Sequence, residues 1–118
     1  MGNSDRNLQL NLAAIARSDD GWVPFREGVE IYRLQESVDG GASSALLRYK
    51  PGASVPPHEH NGYEHVLVIS GSQRDERGHY SAGTLVINPP GSKHAVTSDD
   101  GCVVFVIWEA PVIFRDIP

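Results

Sequence analysis

Residues 52–71 read GASVPPHEHNGYEHVLVISG, with a glycine at each end, a pair of prolines, two histidines one residue apart and an apolar run. In that run the even positions Val66 and Val68 and the odd positions Leu67 and Ile69 are all aliphatic, the pattern of a strand covered on both faces. His58, His60 and Glu64 carry even numbers. Extended backbone projects side chains at spacings of two and four from one face, so the three donors converge without any long-range coincidence. His65, one residue on, faces the other way and is excluded, and Glu59 turns outward as a solvated charge.

Outward from this stretch, 12 glycines and 8 prolines recur at short intervals from Gly21 onward and leave segments too brief for ordinary helices. The segments rich in Val, Ile and aromatics are expected as strands: Val29 to Leu34, Ala45 to Lys50, Glu64 to Ser70, Thr84 to Asn88, His94 to Thr97 and Cys102 to Trp108. Many short strands between turns favour a sandwich, jelly roll or barrel. The polar segment Gln73 to Tyr80 is expected as an exposed hairpin arm, with His79 solvated on it. Leu8, Leu10 and Leu12 alternate as a strand would, while Leu12 to Arg17 suits a single helical turn; both readings stay open. Cys102 to Trp108 is apolar on both faces, like Glu64 to Ile69. A small barrel covers only one face, so the outer face is expected to pack on a second sheet or a second subunit, and a homodimer is predicted.

A chain of 118 residues suits one domain: an N-terminal arm over residues 1–21, a core barrel over 22–110 and a tail over 111–118. Ten Lys and Arg against fifteen Asp and Glu, a formal charge of −5, leave no basic footprint for nucleic acid. The longest apolar stretch, Cys102 to Trp108, falls far short of the roughly 20 residues of a membrane span. Met1 to Leu10 lacks the basic-then-apolar pattern of a secretory signal, so a cytoplasmic protein is expected. A single cysteine excludes an internal disulfide framework and a four-thiolate zinc site; Cys102 reads as a small core residue.

The fourth donor is His94, which follows the turn Asn88-Pro89-Pro90-Gly91 and opens a strand that can lie antiparallel to the first segment. Three imidazoles and a carboxylate suit one borderline divalent ion, Fe, Mn, Co, Ni, Cu or Zn, better than Ca or Mg. On an octahedral ion, two positions remain for water, a bidentate substrate or dioxygen. Gly52 and Gly71 close strand ends where positive φ is expected, and Pro89-Pro90-Gly91 aims His94 inward.

The spacing Gly52, five residues, His58, one, His60, three, Glu64, six, Gly71 resembles the first motif of the cupin superfamily. Gly83, five residues, Pro89, one, Gly91, two, His94 resembles the second, with Ser98 where that motif ends in Asn. The resemblance implies an all-β, single-domain double-stranded β-helix (jelly-roll barrel), with His58, His60, Glu64 and His94 as metal ligands. From about Trp22 to Trp108 the chain looks most similar to the ChrR-type cupin domain of anti-sigma factors, through stretches such as Leu46-Leu47-Arg48-Tyr49-Lys50-Pro51-Gly52-Ala53. It resembles, more distantly, acetylacetone-cleaving dioxygenases, which use ferrous iron. ChrR-type proteins grip a sigma factor through an N-terminal His/Cys zinc domain. This chain has no histidine before His58 and no cysteine before Cys102, so a sigma factor is not expected as a partner.

Two functions follow from the resemblance. One is a metal-dependent, dioxygenase-type enzyme on a small dicarbonyl or enol-like compound, with Glu64 as ligand or base and Tyr49, Tyr63 and Arg48 as candidate pocket residues. The alternative is a non-catalytic metal- or ligand-binding sensor module. Metal-independent sugar epimerisation or isomerisation is weaker, because it leaves the ligand set without a purpose.

Overall fold

Short strands separated by glycine and proline turns build almost the whole of the described chain, residues 7–114 of the computed structural model. Residues 1–6 and 115–118, parts of the expected arm and tail, lie outside the described residues. One short helix, α1 (Leu12–Arg17), precedes ten strands: β1 (Val23–Arg26), β2 (Val29–Gln35), β3 (Ser43–Tyr49), β4 (Ser54–Glu59), β5 (Glu64–Asp75), β6 (Gly78–Ser81), β7 (Leu85–Asn88), β8 (Lys93–Thr97), β9 (Cys102–Trp108) and β10 (Ile113–Phe114). All pairings are antiparallel. The first sheet runs β1-β2-β3-β9-β5-β7 and the second β10-β4-β8-β5-β6. Both use β5, whose first half lies in one sheet and second half in the other. The expected jelly-roll barrel results.

Alternation fills its interior. Val29 and Ile31 of β2, Ala45 and Leu47 of β3, Val66 and Val68 of β5 and Val104 and Val106 of β9 form one buried cluster. Two irregularities shape the barrel. Pro56 and Pro57 lack the N–H that a ladder needs, and the register of β4 against β8 shifts between Val55 and His58. In β5 the register against β9 shifts between Val68 and Ser70, where the strand leaves one sheet for the other.

The outer face of the first sheet is covered in part from within the chain. The N-terminal segment that reads equally as strand or helix is a helix, capped by Asn11, whose side chain accepts from the Ala14 amide at 3.0 Å. Its Leu12, Ile15 and Ala16 pack on Trp22, Leu46 and Val103. A six-residue helix is marginal alone, so this docking is what holds it. Part of the outer cover predicted as a second sheet or subunit is therefore this helix. Among the described residues no helix is long and apolar enough to cross a membrane.

Candidate metal centre

His58 and His94 stand directly opposite one another on β4 and β8. Glu64 opens β5 in the other sheet, between Asn88 of β7 and Trp108 of β9. His60 lies in the connection that crosses from one sheet to the other. The proline turn clamps its backbone on both sides: the His60 amide donates to Ser92 O at 2.9 Å, and the Gly91 amide donates to His60 O at 2.8 Å. The four side chains are buried, and one donor atom from each lies within 4.8 Å of the others. The sequence expectation of a single extended strand is corrected here. His58 and Glu64 belong to different sheets, and it is the corner between them that makes the donors converge.

The hydrogen bonds behind the rings fix their tautomers. His58 Nδ1 lies 2.9 Å from the Pro56 carbonyl, which only accepts, so this nitrogen carries the proton. His94 Nδ1 lies 2.9 Å from Asp75 Oδ2 and donates to the carboxylate. His60 Nδ1 is 2.8 Å from Ser92 Oγ, whose single proton goes to Pro89 O at 2.6 Å, so the hydroxyl accepts from the imidazole. Each ring thus turns an unprotonated Nε2 inward.

Among protein atoms alone, that arrangement sets acceptor against acceptor. The Nε2 atoms of His58 and His94 are 3.1 Å apart. His60 Nε2 is buried without a hydrogen-bond partner, 3.1 Å from Glu64 Oε1, and His94 Nε2 is 3.8 Å from that oxygen. A cation reverses the sign of these contacts. Bonds of about 2.1 Å place ligand atoms roughly 3 to 4.2 Å apart, and these three contacts of 3.1, 3.1 and 3.8 Å fall in that range. The residues present therefore fit a divalent transition metal.

Charge at the site is held in the ligating form. Burial and the facing His94 ring push His58 below the ordinary imidazole value, although the Pro56 carbonyl opposes them, so the ring is neutral at pH 7. Burial alone would raise the Glu64 carboxyl. The Trp108 indole, which donates to it, opposes that and favours the ionised carboxylate. Asn88 Nδ2 donates to Glu64 Oε1 at 3.0 Å and Trp108 Nε1 to Oε2 at 2.7 Å, which fixes the carboxylate plane from both flanking strands.

The donors border a cavity of about 210 Å³ inside the barrel. Its walls are chiefly apolar, with Phe25, Leu47, Val55, Val66, Val104 and Val106 among them, and among the described residues its lining contains no Lys or Arg. Tyr49 lines it as expected, and burial raises its phenol well above the ordinary value, so the hydroxyl stays protonated. The other two pocket candidates are corrected. Arg48 sits on the outer face, 2.8 Å from Glu30, 3.1 Å from Asp19 and 4.4 Å from the centre of the Trp22 ring, where it ties the segment after α1 to the sheet. Tyr63 is 47% exposed and does not line the cavity.

His65 points away from the donors, level with Ile87 and Ile107, and Glu59 pairs in register with Lys93. His79 is exposed on β6. Gln73 to Tyr80 does form a hairpin, but it is not merely an exposed arm: Gln73 lines the cavity, and the Asp75 side chain is only 2% exposed. Asp75, Asn88, Ser92 and Trp108 are site residues that the sequence reading missed. The cross-strand position of Asn88 and Trp108 beside Glu64 would reveal those two once the register was known.

Residues 11–110 match the family described as the ChrR cupin-like domain. The anti-sigma-E factor ChrR of Cereibacter sphaeroides is 35% identical over 79 residues, 64% of this chain and 37% of that protein. The chain thus spans little more than a third of that relative's length. Among solved structures, an acetylacetone dioxygenase from Acinetobacter johnsonii superposes with a TM-score of 0.81 at 18% identity, covering 98% of this chain and 81% of that one; such identity speaks for the fold alone. The Rhodobacter sphaeroides complex of SigE with the anti-sigma ChrR gives a TM-score of 0.68 at 28% identity, covering 76% of this chain and 49% of that one.

Proposed function

The chain belongs to the ChrR cupin-like domain family, and from that premise we propose that it is a metal-dependent enzyme of the dioxygenase type acting on a small dicarbonyl or enol-like compound. The observation that carries this reading is the buried, partnerless His60 Nε2 among converging donors at the edge of an apolar cavity. His58, His60, Glu64 and His94 would hold one divalent transition ion, Fe, Zn, Ni or Mn. When bound, it supplies Lewis acidity and open positions for a two-oxygen chelator.

The chain's own groups do the rest. Asn88 and Trp108 keep Glu64 deprotonated and oriented, so it would serve as a ligand or as the base that takes up the proton of an enol. The valine-rich walls surround the site with apolar surface. A cavity of about 210 Å³ exceeds the roughly 150 Å³ that holds benzene, so the substrate is of monocyclic size or slightly larger. With no Lys or Arg among the described residues of the lining, a ligand's negative charge is best met at the ion, which favours an enolate head on an uncharged body over an acid with a distal carboxylate.

Elemental analysis followed by oxygen-electrode assays of the Fe(II)-loaded protein tests this. The expected result is about one ion per chain and oxygen uptake with an uncharged β-dicarbonyl. Tight binding of the same compounds without uptake would instead support a second reading, a sensor module, which the relation to an anti-sigma factor favours. The lone Cys102, a buried free thiol, suits a cytoplasmic setting.

We also propose a homodimer through the part of the outer sheet that α1 leaves bare. On β7, Leu85 and Ile87 are 53% and 51% exposed, and Ile107 of β9 is 39% exposed. Register aligns Ile87, His65 and Ile107 in one row and Leu85, Leu67 and Phe105 in the next, so the patch is continuous. Light scattering after size exclusion should give twice the chain mass at micromolar concentration, and Ile87→Glu should halve it. A wild-type monomer removes the dimer.

A further inference from the structure

Asp75 divides its two carboxylate oxygens between different tasks. Oδ1 accepts three bonds that close the β5–β6 turn: the Arg77 amide at 2.8 Å, the Gly78 amide at 3.2 Å and the Tyr80 hydroxyl at 2.8 Å. Oδ2 is given to His94 Nδ1 at 2.9 Å, with the Arg77 guanidinium 4.0 Å away. The side chain is 2% exposed and that of His94 5%. The other two rings are backed by neutral acceptors, the Pro56 carbonyl and the Ser92 hydroxyl. His94 is backed by an anion.

Resting on the metal reading above, we propose that Asp75 is a positioning residue that fixes His94 in the Nδ1–H tautomer and presents its Nε2 to the ion. A carboxylate behind an imidazole orients the ring and makes its free nitrogen a stronger donor. The Asp75 charge is shared with the Arg77 guanidinium, so its part at the site is to orient the ring rather than to neutralise the ion.

The split between the oxygens provides the test. Asp75→Asn can keep a carbonyl oxygen on the three turn bonds, which puts its amide N–H₂ against His94 Nδ1. Two donors cannot share that contact, so the ring must move its proton to Nε2, the ligating atom. Tyr80→Phe is the complementary variant: it removes one turn bond and leaves the imidazole contact intact. Zinc affinity is read by competition with a chromophoric chelator, and the tautomer by ¹⁵N resonances of the histidine rings in metal-free protein.

Asp75→Asn should exchange the His94 Nδ1 and Nε2 signals and weaken zinc binding by about 10- to 100-fold. Tyr80→Phe should lower the melting temperature with zinc affinity within twofold of wild type. An unchanged tautomer and affinity in Asp75→Asn overturns the proposal, as does an equal affinity loss in Tyr80→Phe, which would trace the effect to the turn. Wild-type protein that takes up no zinc overturns the metal reading itself, a separate outcome from wild-type and Asp75→Asn proteins binding alike.

Discussion

Replacing His60 or His94 by alanine is expected to weaken divalent transition-metal binding by about 100- to 1,000-fold, while His65→Ala leaves it within twofold of wild type. The magnitude follows from structural zinc sites, where roughly 10–16 kcal/mol is shared among four donors, or about 2.5–4 kcal/mol for each. The two losses have different origins. His60 is 1% exposed and its backbone is pinned by the proline turn, so its Nε2 is offered with almost no freedom to lose on binding. His94 brings the Asp75 carboxylate with it, so its removal also leaves a buried anion without its main partner. His65 lies on the far side of β5, level with Ile87 and Ile107. Competition titrations on variants with wild-type circular dichroism measure all three. Equal losses at all three positions would show that the two faces of β5 have been assigned wrongly.

What was readable in the chain, and what was not, divides along one physical line. Alternation is informative where one face is polar. It turns Glu59 and His65 away from His58 and Glu64, but His60 lies in the connection between β4 and β5, so the convergence of these groups with His94 comes from the corner between the sheets and not from the alternation of one strand. In β3, by contrast, Ala45, Leu46 and Leu47 are buried in succession because the barrel core covers one face and α1 the other. Period-2 patterning then carries no direction, and Arg48 was drawn toward the pocket when it belongs outside. In β5 the register shift between Val68 and Ser70 changes which positions face inward: Val66 and Val68 do so before it, Gln73 and Asp75 after it. An extra residue of this kind reverses every facing assignment beyond it and leaves no composition signature. A hairpin with the residues Gln73, Arg74, Asp75, Glu76 and Arg77 therefore looked solvated from end to end. The helix escaped a decision for a third reason, since six residues acquire their conformation from the surface on which they dock.

The same junction in β5 is where a single methyl group should do the most harm. Gly71→Ala is expected to lower stability by about 2–5 kcal/mol, the sum of a left-handed backbone cost near 1–2 kcal/mol and overpacking of about 1–3 kcal/mol. Gly71 has a φ of 73°, and a Cβ there would fall deep inside contact distance of the Gly101 carbonyl oxygen and 2.9 Å from Cys102 Cα. Both obstacles are backbone of the paired strand, so neither can swing aside as a flexible side chain would. Gly52 separates the two costs. Its φ is 83°, but nothing lies within 4 Å of the same position, so Gly52→Ala should lose only the backbone part, about 1–2 kcal/mol. Urea unfolding of the metal-free proteins tests the difference, and equal losses would mean that the approach of β5 to Gly101 is not what demands a glycine. The consequence reaches the metal centre through the chain itself. Gly71 is four residues before Asp75, and Ser72 ties the same segment to Ser98 through a 2.6 Å bond. Backbone forced away from Gly101 must therefore carry the second half of β5 with it and pull Oδ2 from His94. If that coupling holds, Gly71→Ala also weakens zinc binding in the fraction that remains folded, and Gly52→Ala does not.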